Sequence, residues 1–364
     1  MSKRIGLLSL SNAENYGAVL QSYSLYRVIK SMDRNVHVIN YFPAFMKGRY
    51  KLLWLDKSTI RSMVSTFKYS FECLPYTLIK KIRFCVFRMI YLHNAPILKR
   101  KSLKDAYDIY IVGSDQVWNT NITNMDMTFF LDFVEDNKKK NSYAASIGVS
   151  KYPKSIEDFV FKEIGKFNRI SIREKQGKQY IKREKNDLNV LCHIDPVFLT
   201  SAEEWKVFCK KNIIREKYIL IYSFENLKLA IEIANKICNE KKWKIIIIRT
   251  DKNKYYQGIR CYRTAGPRDF LNLISNAEFV ITDSFHGTAF SLIFNRNFYS
   301  IPYNATNSRI ENILSIFNNY DRMISSINEV DLEKKCDYSN YKKILKNEIN
   351  KSRDYLENIL EVET

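Results

Sequence analysis

His286, one of four histidines in 364 residues, stands where an apolar strand-like run, Phe279 to Thr282, gives way to a polar break and then to an apolar, helix-compatible run. An imidazole at such a strand end can give or take a proton near neutral pH, and the free N–H groups of a helix starting there favour an anion beside it. A buried histidine that only ties down a neighbouring loop would have the same spacing. Arg173, polar after the apolar Ile170 and Ile172, offers a guanidinium fork for a carboxylate or phosphate, or pairs on the surface with Glu174 or Glu184. Asp115 and Trp118 in "GSDQVWN" read either as a carboxylate for sugar hydroxyls and a flat face for a pyranose, or as a helix N-cap and a core anchor. Asn15, Tyr16 and Gly17 also carry two readings: a loop touching substrate, or a helix start where glycine permits close approach.

These residues share one grammar. "RIGLLSLS", a helical run after Gly17 and "NVHVINY" form a βαβ unit within about 40 residues, the building block of an open parallel sheet. "YDIYIVG" ahead of Ser114, Asp115 and Gln116 repeats the pattern, as do "KKNSYAASIG" and "ISIREKQG". After Asp195-Pro196, a turn-forcing pair, "YILIYSF", "KIIIIRT" and "EFVIT" alternate again with helical runs. The spacing predicts two α/β domains built on parallel strands, able to face each other across a cleft. The first spans 1–190, with a basic helical insertion at about 45–101 broken at Pro75; the second spans 191–330, and a charged helical extension covers 331–364. In open α/β sheets ligands bind beyond the carboxyl ends of the strands, where every one of these polar clusters falls.

Composition narrows the partners. A formal charge of +20 favours anions such as phosphorylated small molecules, nucleic acid or an acidic membrane, or reflects only a solvated surface in a Lys-, Asn- and Ile-rich chain. The insertion mixes Lys and Arg with Phe, Tyr, Ile and Met, suiting either anionic lipid or a helical layer on the sheet. No helix-turn-helix, RNP or zinc-finger pattern supports nucleic acid. The seven cysteines are scattered and read as reduced packing thiols. His37, His93 and His193 stand in no metal-ligand pattern, and no Walker A loop or spaced G-x-G-x-x-G follows a strand, so no metal or nucleotide cofactor is expected. Without a signal-like or spanning apolar run, the expected location is cytoplasmic, with peripheral contact at the inner membrane face as an option.

The segments "NYGAVLQSYSLYRVI", "YDIYIVGSDQVWN", "SYAASIG", "SIREKQG", "DPVFL" and "ITDSFHGTAFSLIF" together resemble, in matching order across about residues 4 to 300, the polysaccharide pyruvyl transferase family. The resemblance implies a GT-B-like fold of two Rossmann-like domains facing a central cleft, phosphoenolpyruvate as donor, and a pair of sugar hydroxyls as acceptor, yielding a cyclic pyruvate ketal on a bacterial surface glycan or its lipid-linked precursor. It assigns catalysis to His286 and donor binding to Arg173, with Ser284, Phe285 and Gly287 beside them. Many members carry Arg-Leu-His-Gly where this chain has Ser284-Phe285-His286-Gly287, so one cation must come from elsewhere. Arg268 is the first candidate, with Arg296 and Arg309 behind it. The acceptor side would comprise Asn15, Tyr16, Gly17, Ser114, Asp115, Gln116 and Trp118. His286 would be the acid that protonates the donor's methylene or the base for the sugar hydroxyl. The rivals are a GT-B glycosyltransferase using a nucleotide sugar and a nonenzymatic module for RNA or anionic membrane.

Overall fold

The computed structural model describes residues 3–32, 34–43, 45–46, 60–92, 100–209, 214–249, 258–302 and 307–361; His93 lies outside them. Strands β1 (Arg4–Leu8), β2 (Asn35–Val38), β3 (Ile109–Gly113) and β4 (Lys140–Tyr143) form a parallel sheet in the order β2-β1-β3-β4. β5 (Ile170–Ile172) and β6 (Val190–Cys192) pair in parallel and join the edge of β4 through the bridges Asn141 to Arg169 and Ala145 to Ile172. β7 (Tyr218–Tyr222), β8 (Lys244–Ile248), β9 (Arg260–Tyr262), β10 (Phe279–Thr282) and β11 (Asn297–Ser300) make a second parallel sheet, ordered β11-β10-β7-β8-β9. The central strands β3 and β7 are buried along their whole length. Continuous apolar strands, covered by helices on both faces, are what a parallel sheet requires.

The longer helices are α1 (Tyr16–Ser31), α2 (Ile60–Tyr91), α3 (Lys154–Ile164), α4 (Lys175–Glu184), α5 (Leu227–Lys241), α6 (Pro267–Ser275), α7 (Phe285–Ile293), α8 (Asn307–Ile316) and α9 (Tyr341–Leu360). α2 corrects the expectation of a break at Pro75, because the helix runs through it. Proline removes one N–H donor from a helix, a loss that is tolerable where the released carbonyl meets water. Pro75 and Phe71, the residue one turn before it, both lie on the exposed side.

The two halves do not bury wholly separate cores. One hydrophobic cluster joins Ile5, Val19 and Ile111 of the first half to Leu220, Phe270 and Phe290 of the second. Tyr16 is a pivot of this contact: its ring stacks on Phe270 with centroids 4.6 Å apart, and its hydroxyl donates to the Ala265 carbonyl at 2.8 Å. α9, a charged helical end in sequence, returns from the second half to the first sheet, where the Tyr355 hydroxyl donates to the Ser142 carbonyl at 2.9 Å and Leu356 is fully buried.

Candidate active site

Two helix N-termini converge between the sheets. α1 begins after β1, with Asn15 as its N-cap, the Asn15 side chain accepting from the Ala18 N–H at 3.1 Å. α7 begins after β10, capped by Ser284. Gly287, in the first turn of α7, lies so near β10 that a Cβ there would come within 2.2 Å of the Thr282 hydroxyl oxygen. Only glycine lets the helix start this close to its strand, and that fixes where His286 points.

A second glycine completes the fit. A Cβ on Gly17 would sit 1.9 Å from Nδ1 of His286, so the imidazole of one half rests directly on the first turn of α1 from the other. Gly17→Ala is expected to keep the fold at a cost of about 1–3 kcal/mol, the usual penalty for forcing a methyl group against a buried side chain. It is also expected to turn the His286 ring and cut turnover about a hundredfold, because displacement of a reacting group by an ångström costs that much. Circular dichroism and steady-state kinetics check the two halves of this prediction.

Behind His286 lies a buried cluster of charged side chains. The Asp195 carboxylate is fully buried; its Oδ2 accepts from Arg173 Nη1 at 2.6 Å and from the Ser114 hydroxyl at 3.2 Å, and stands 3.7 Å from Nε2 of His286. Its Oδ1 accepts from the Val197 N–H at 3.0 Å, fixing the carboxylate to the turn after β6. Arg173 also donates from Nε to Glu174 at 3.2 Å and lies over the Phe285 ring at 4.3 Å. Burial works against the charge on Arg173, but Glu174, Asp195 and Asp115 outweigh it and hold the guanidinium protonated. Nε2 of His286 has no hydrogen-bond partner in the protein. Burial pushes the His286 pKa below the ordinary histidine value; Asp195 and Asp115 oppose that shift, while Arg173 and Arg309 reinforce it. The resting imidazole is therefore neutral at neutral pH, beside a carboxylate that favours its protonated form.

The cavity in front of this cluster has a volume of about 270 Å³. The first half lines it with Asn15, Asp115, Gln116, Asn119 and Ile122, and the second with Phe224, Asp283, Ser284, Phe285, His286 and Arg309. A recess of about 80 Å³ continues past Asn15 and Asp115 to Leu10, Phe45 and Met46. Asp283 is less available than its position suggests. Its carboxylate accepts from the Ser223 hydroxyl and from the N–H groups of Phe224, Glu225 and Asn226 at 2.7 to 3.0 Å, so it occupies the N-terminus of α5. The anion-binding termini left facing the cavity are those of α1 and α7.

The structure sorts the sequence candidates. His286, Ser284, Phe285, Asn15, Asp115 and Gln116 meet at the cavity. Gly17 and Gly287 shape it from behind, and Ser114, fully buried, reaches only Asp195. Trp118 is corrected from an acceptor platform to a core anchor: its indole is wholly buried, donates to the Phe129 carbonyl and stacks on Phe130. Tyr16, stacked on Phe270, likewise shows substrate no face. Arg173 does not line the cavity; with a side chain 2% exposed and committed to Asp195 and Glu174, it supports His286 from behind. Arg268 lies in a different groove, beside Arg83 and Val86, and Arg296 donates to the Phe294 and Ala277 carbonyls. Of the three candidate cations it is Arg309, on α8, that faces the cavity.

Sequence reasoning passed over Asp195, which stands in the quoted "DPVFL" but read only as a turn former, and Asn119 and Phe224. The remaining described histidines have other roles. His193 is wedged beside Tyr143 and Tyr355, its Nδ1 2.7 Å from the Ser171 hydroxyl, and burial pushes its pKa down to about 4. His37 packs edge-on to Tyr107.

The polysaccharide pyruvyl transferase family model matches residues 15–305. No curated protein matches the chain significantly in sequence. Among solved structures, the UDP-GlcNAc 2-epimerase of Methanocaldococcus jannaschii, in complex with UDP-GlcNAc and UDP, is similar at 14% identity and a TM-score of 0.51, covering 99% of each chain. A putative UDP-N-acetylglucosamine 2-epimerase from Listeria monocytogenes is similar at 11% identity and a TM-score of 0.51, over 98% of this chain and 91% of that one. At such identities the likeness establishes the fold, which is GT-B-like.

Proposed function

Because the chain belongs to the polysaccharide pyruvyl transferase family, we propose that it transfers the pyruvyl group of phosphoenolpyruvate to two hydroxyls of one sugar, forming a cyclic ketal on a surface glycan or its lipid-linked precursor. The observation that carries this reading is the imidazole of His286, which lines a cavity where two helix N-termini and Arg309 favour an anion and whose Nε2 stands 3.7 Å from the buried Asp195 carboxylate. No metal or nucleotide is needed for the chemistry.

The donor's carboxylate and phosphate raise the pKa of the neighbouring imidazole, so donor binding brings a proton to His286. The imidazolium gives that proton to the donor's methylene carbon, making the central carbon electrophilic, and Asp195 steadies the ring while it is charged. The neutral ring then takes the proton of the first sugar hydroxyl as its oxygen bonds to that carbon. The second hydroxyl displaces phosphate, which leaves with the second proton. The products are one ketal and one inorganic phosphate. Asp115, Gln116 and Asn119, on the opposite wall, supply polar groups suited to sugar hydroxyls.

Binding separates this from nucleotide-sugar transfer on the same fold. Phosphoenolpyruvate at 100 times its Kd is expected to stabilise the protein by about 2.7 kcal/mol, seen as a rise in Tm, with no matching effect of UDP-GlcNAc. Protection by the nucleotide sugar alone would transfer the assignment to a glycosyltransferase.

A further inference from the structure

α2 buries one face against the molecule and presents another outward. Phe84 and Phe87 are buried, with the Phe84 ring centroid 5.2 Å from that of Tyr16. On the opposite face Phe67 (50% exposed), Phe71 (64%), Ile82 (58%) and Met89 (71%) stand out, with Leu78, Val86 and Ile90 among them. Projected at 100° per residue, these side chains fall within one sector of about 140°, a ridge running about 33 Å from Phe67 to Met89 and broken near its start by the exposed Lys68 and Glu72. Isolated exposed apolar residues need no explanation, but a ridge of large ones along one helix face marks an interaction surface.

The flanks of the ridge are cationic. On one side a groove contains Arg88 and Lys81, the latter paired with Glu14 at 2.6 Å, with Phe42 and Met46. On the other a groove contains Arg83, paired with Asp269 at 2.7 Å, and Arg268 of α6, with Val86 and Phe87, so the charge left to meet an anion comes from the excess of basic over acidic residues along α2. Residues 60 to 92 include six basic residues and one acidic. No helix among the described residues is long and apolar enough to cross a membrane. A helix with an apolar ridge between rows of cations lies in the plane of an anionic bilayer, its large side chains among the acyl chains and its cations at the phosphates. A second copy of this chain is disfavoured by the same charges, since pairing two such ridges would bring the basic rows together.

We propose that the outer face of α2 is a docking surface for an anionic lipid bilayer, and that docking presents a lipid-linked acceptor to the cavity. The second half of this statement rests on the pyruvyl transfer reading; the first does not. The ridge lies beside the cavity. Its Lys81 groove includes Asn12, Glu14 and Met46, and Met46 also lines the recess that opens past Asn15 into the His286 cavity. A sugar joined to lipid through a phosphate would thus find cations at the bilayer surface and polar groups within the cavity.

The test uses the full chain and vesicles, with neither donor nor acceptor present, so its failure is separate from failure of the catalytic reading. The protein is expected to sediment with vesicles of phosphatidylcholine mixed with phosphatidylglycerol, to be released by high salt, and to ignore vesicles of phosphatidylcholine alone. The double variant Phe71→Glu/Met89→Glu should bind the anionic vesicles at least about tenfold more weakly while keeping the wild-type thermal transition. Equal binding by the variant, or equal affinity of the wild type for neutral vesicles, would overturn the proposal. So would a wild-type dimer, seen by sedimentation velocity, that the double variant converts to monomer.

Discussion

His286→Gln is expected to fold with wild-type thermal stability and to release phosphate from phosphoenolpyruvate, in the presence of acceptor, about a thousandfold more slowly, near the middle of the range for loss of a positioned acid or base. Glutamine keeps a polar side chain of similar reach, so the loss isolates proton transfer from packing. The kinetic signature matters as much as the size. If the imidazole acts on both proton transfers, kcat falls by far more than the affinity for phosphoenolpyruvate, read from thermal protection, which weakens only by what the imidazolium contributes to holding the anion. A variant that keeps wild-type turnover would remove His286 from the chemistry, however well placed it is beside Asp195.

Asp195→Asn has the second large effect, on stability and rate together. The carboxylate is fully buried and holds the guanidinium of Arg173, itself 2% exposed, at 2.6 Å. Removing one partner of a buried pair leaves the other charge uncompensated and typically costs 3–5 kcal/mol, here about 3 kcal/mol because Glu174 remains against Arg173. A lower urea midpoint with unchanged m-value would report that loss. The rate is expected to fall about a hundredfold, and pH dependence separates this from mere damage. Asp195 raises the pKa of His286, so its neutralisation lowers that pKa further below the ordinary histidine value. Turnover that starts from the imidazolium declines as pH rises through that pKa. In kcat/KM, the declining limb of the variant should therefore lie at lower pH than that of the wild type, with part of the lost activity recovered on acidification. A purely structural Asp195 would leave the limb in place.

Much of this arrangement was legible in the residues, for identifiable reasons. Strands buried on both faces, such as "YDIYIVG" and "YILIYSF", are apolar throughout, and each stops at a polar cluster, so the period and its interruption reveal both the sheet and the side on which ligands bind. His286 was visible by the same logic. Which half of a polar cluster faces the cavity was not. In "GSDQVWN", Ser114 turns to Asp195 and Trp118 into the core, while Asp115, at φ 56°, and Gln116 reach the cavity. That choice is made by a left-handed turn at Asp115, a conformation Asp adopts more readily than most residues but that its type does not require. Arg173 and Asp195 illustrate a second limit. They are 22 positions apart and lie on different elements, so their 2.6 Å contact follows only from the alignment of β5 with β6. The return of α9 to the first sheet is a third, since a charged amphipathic helix announces that it has an apolar face and not which surface will cover it.

The central claim is that a proton is added to the donor's methylene as the sugar oxygens bond to the adjacent carbon. It is tested by running the wild-type reaction in D₂O with phosphoenolpyruvate and an amphiphilic sugar acceptor, then examining the product by NMR and mass spectrometry. The expected product is a cyclic ketal whose methyl group carries solvent deuterium, formed in equal amount with inorganic phosphate and lost from the His286→Gln reaction. A product that retains the vinyl CH₂, or phosphate released without any bond to the sugar, would contradict the account.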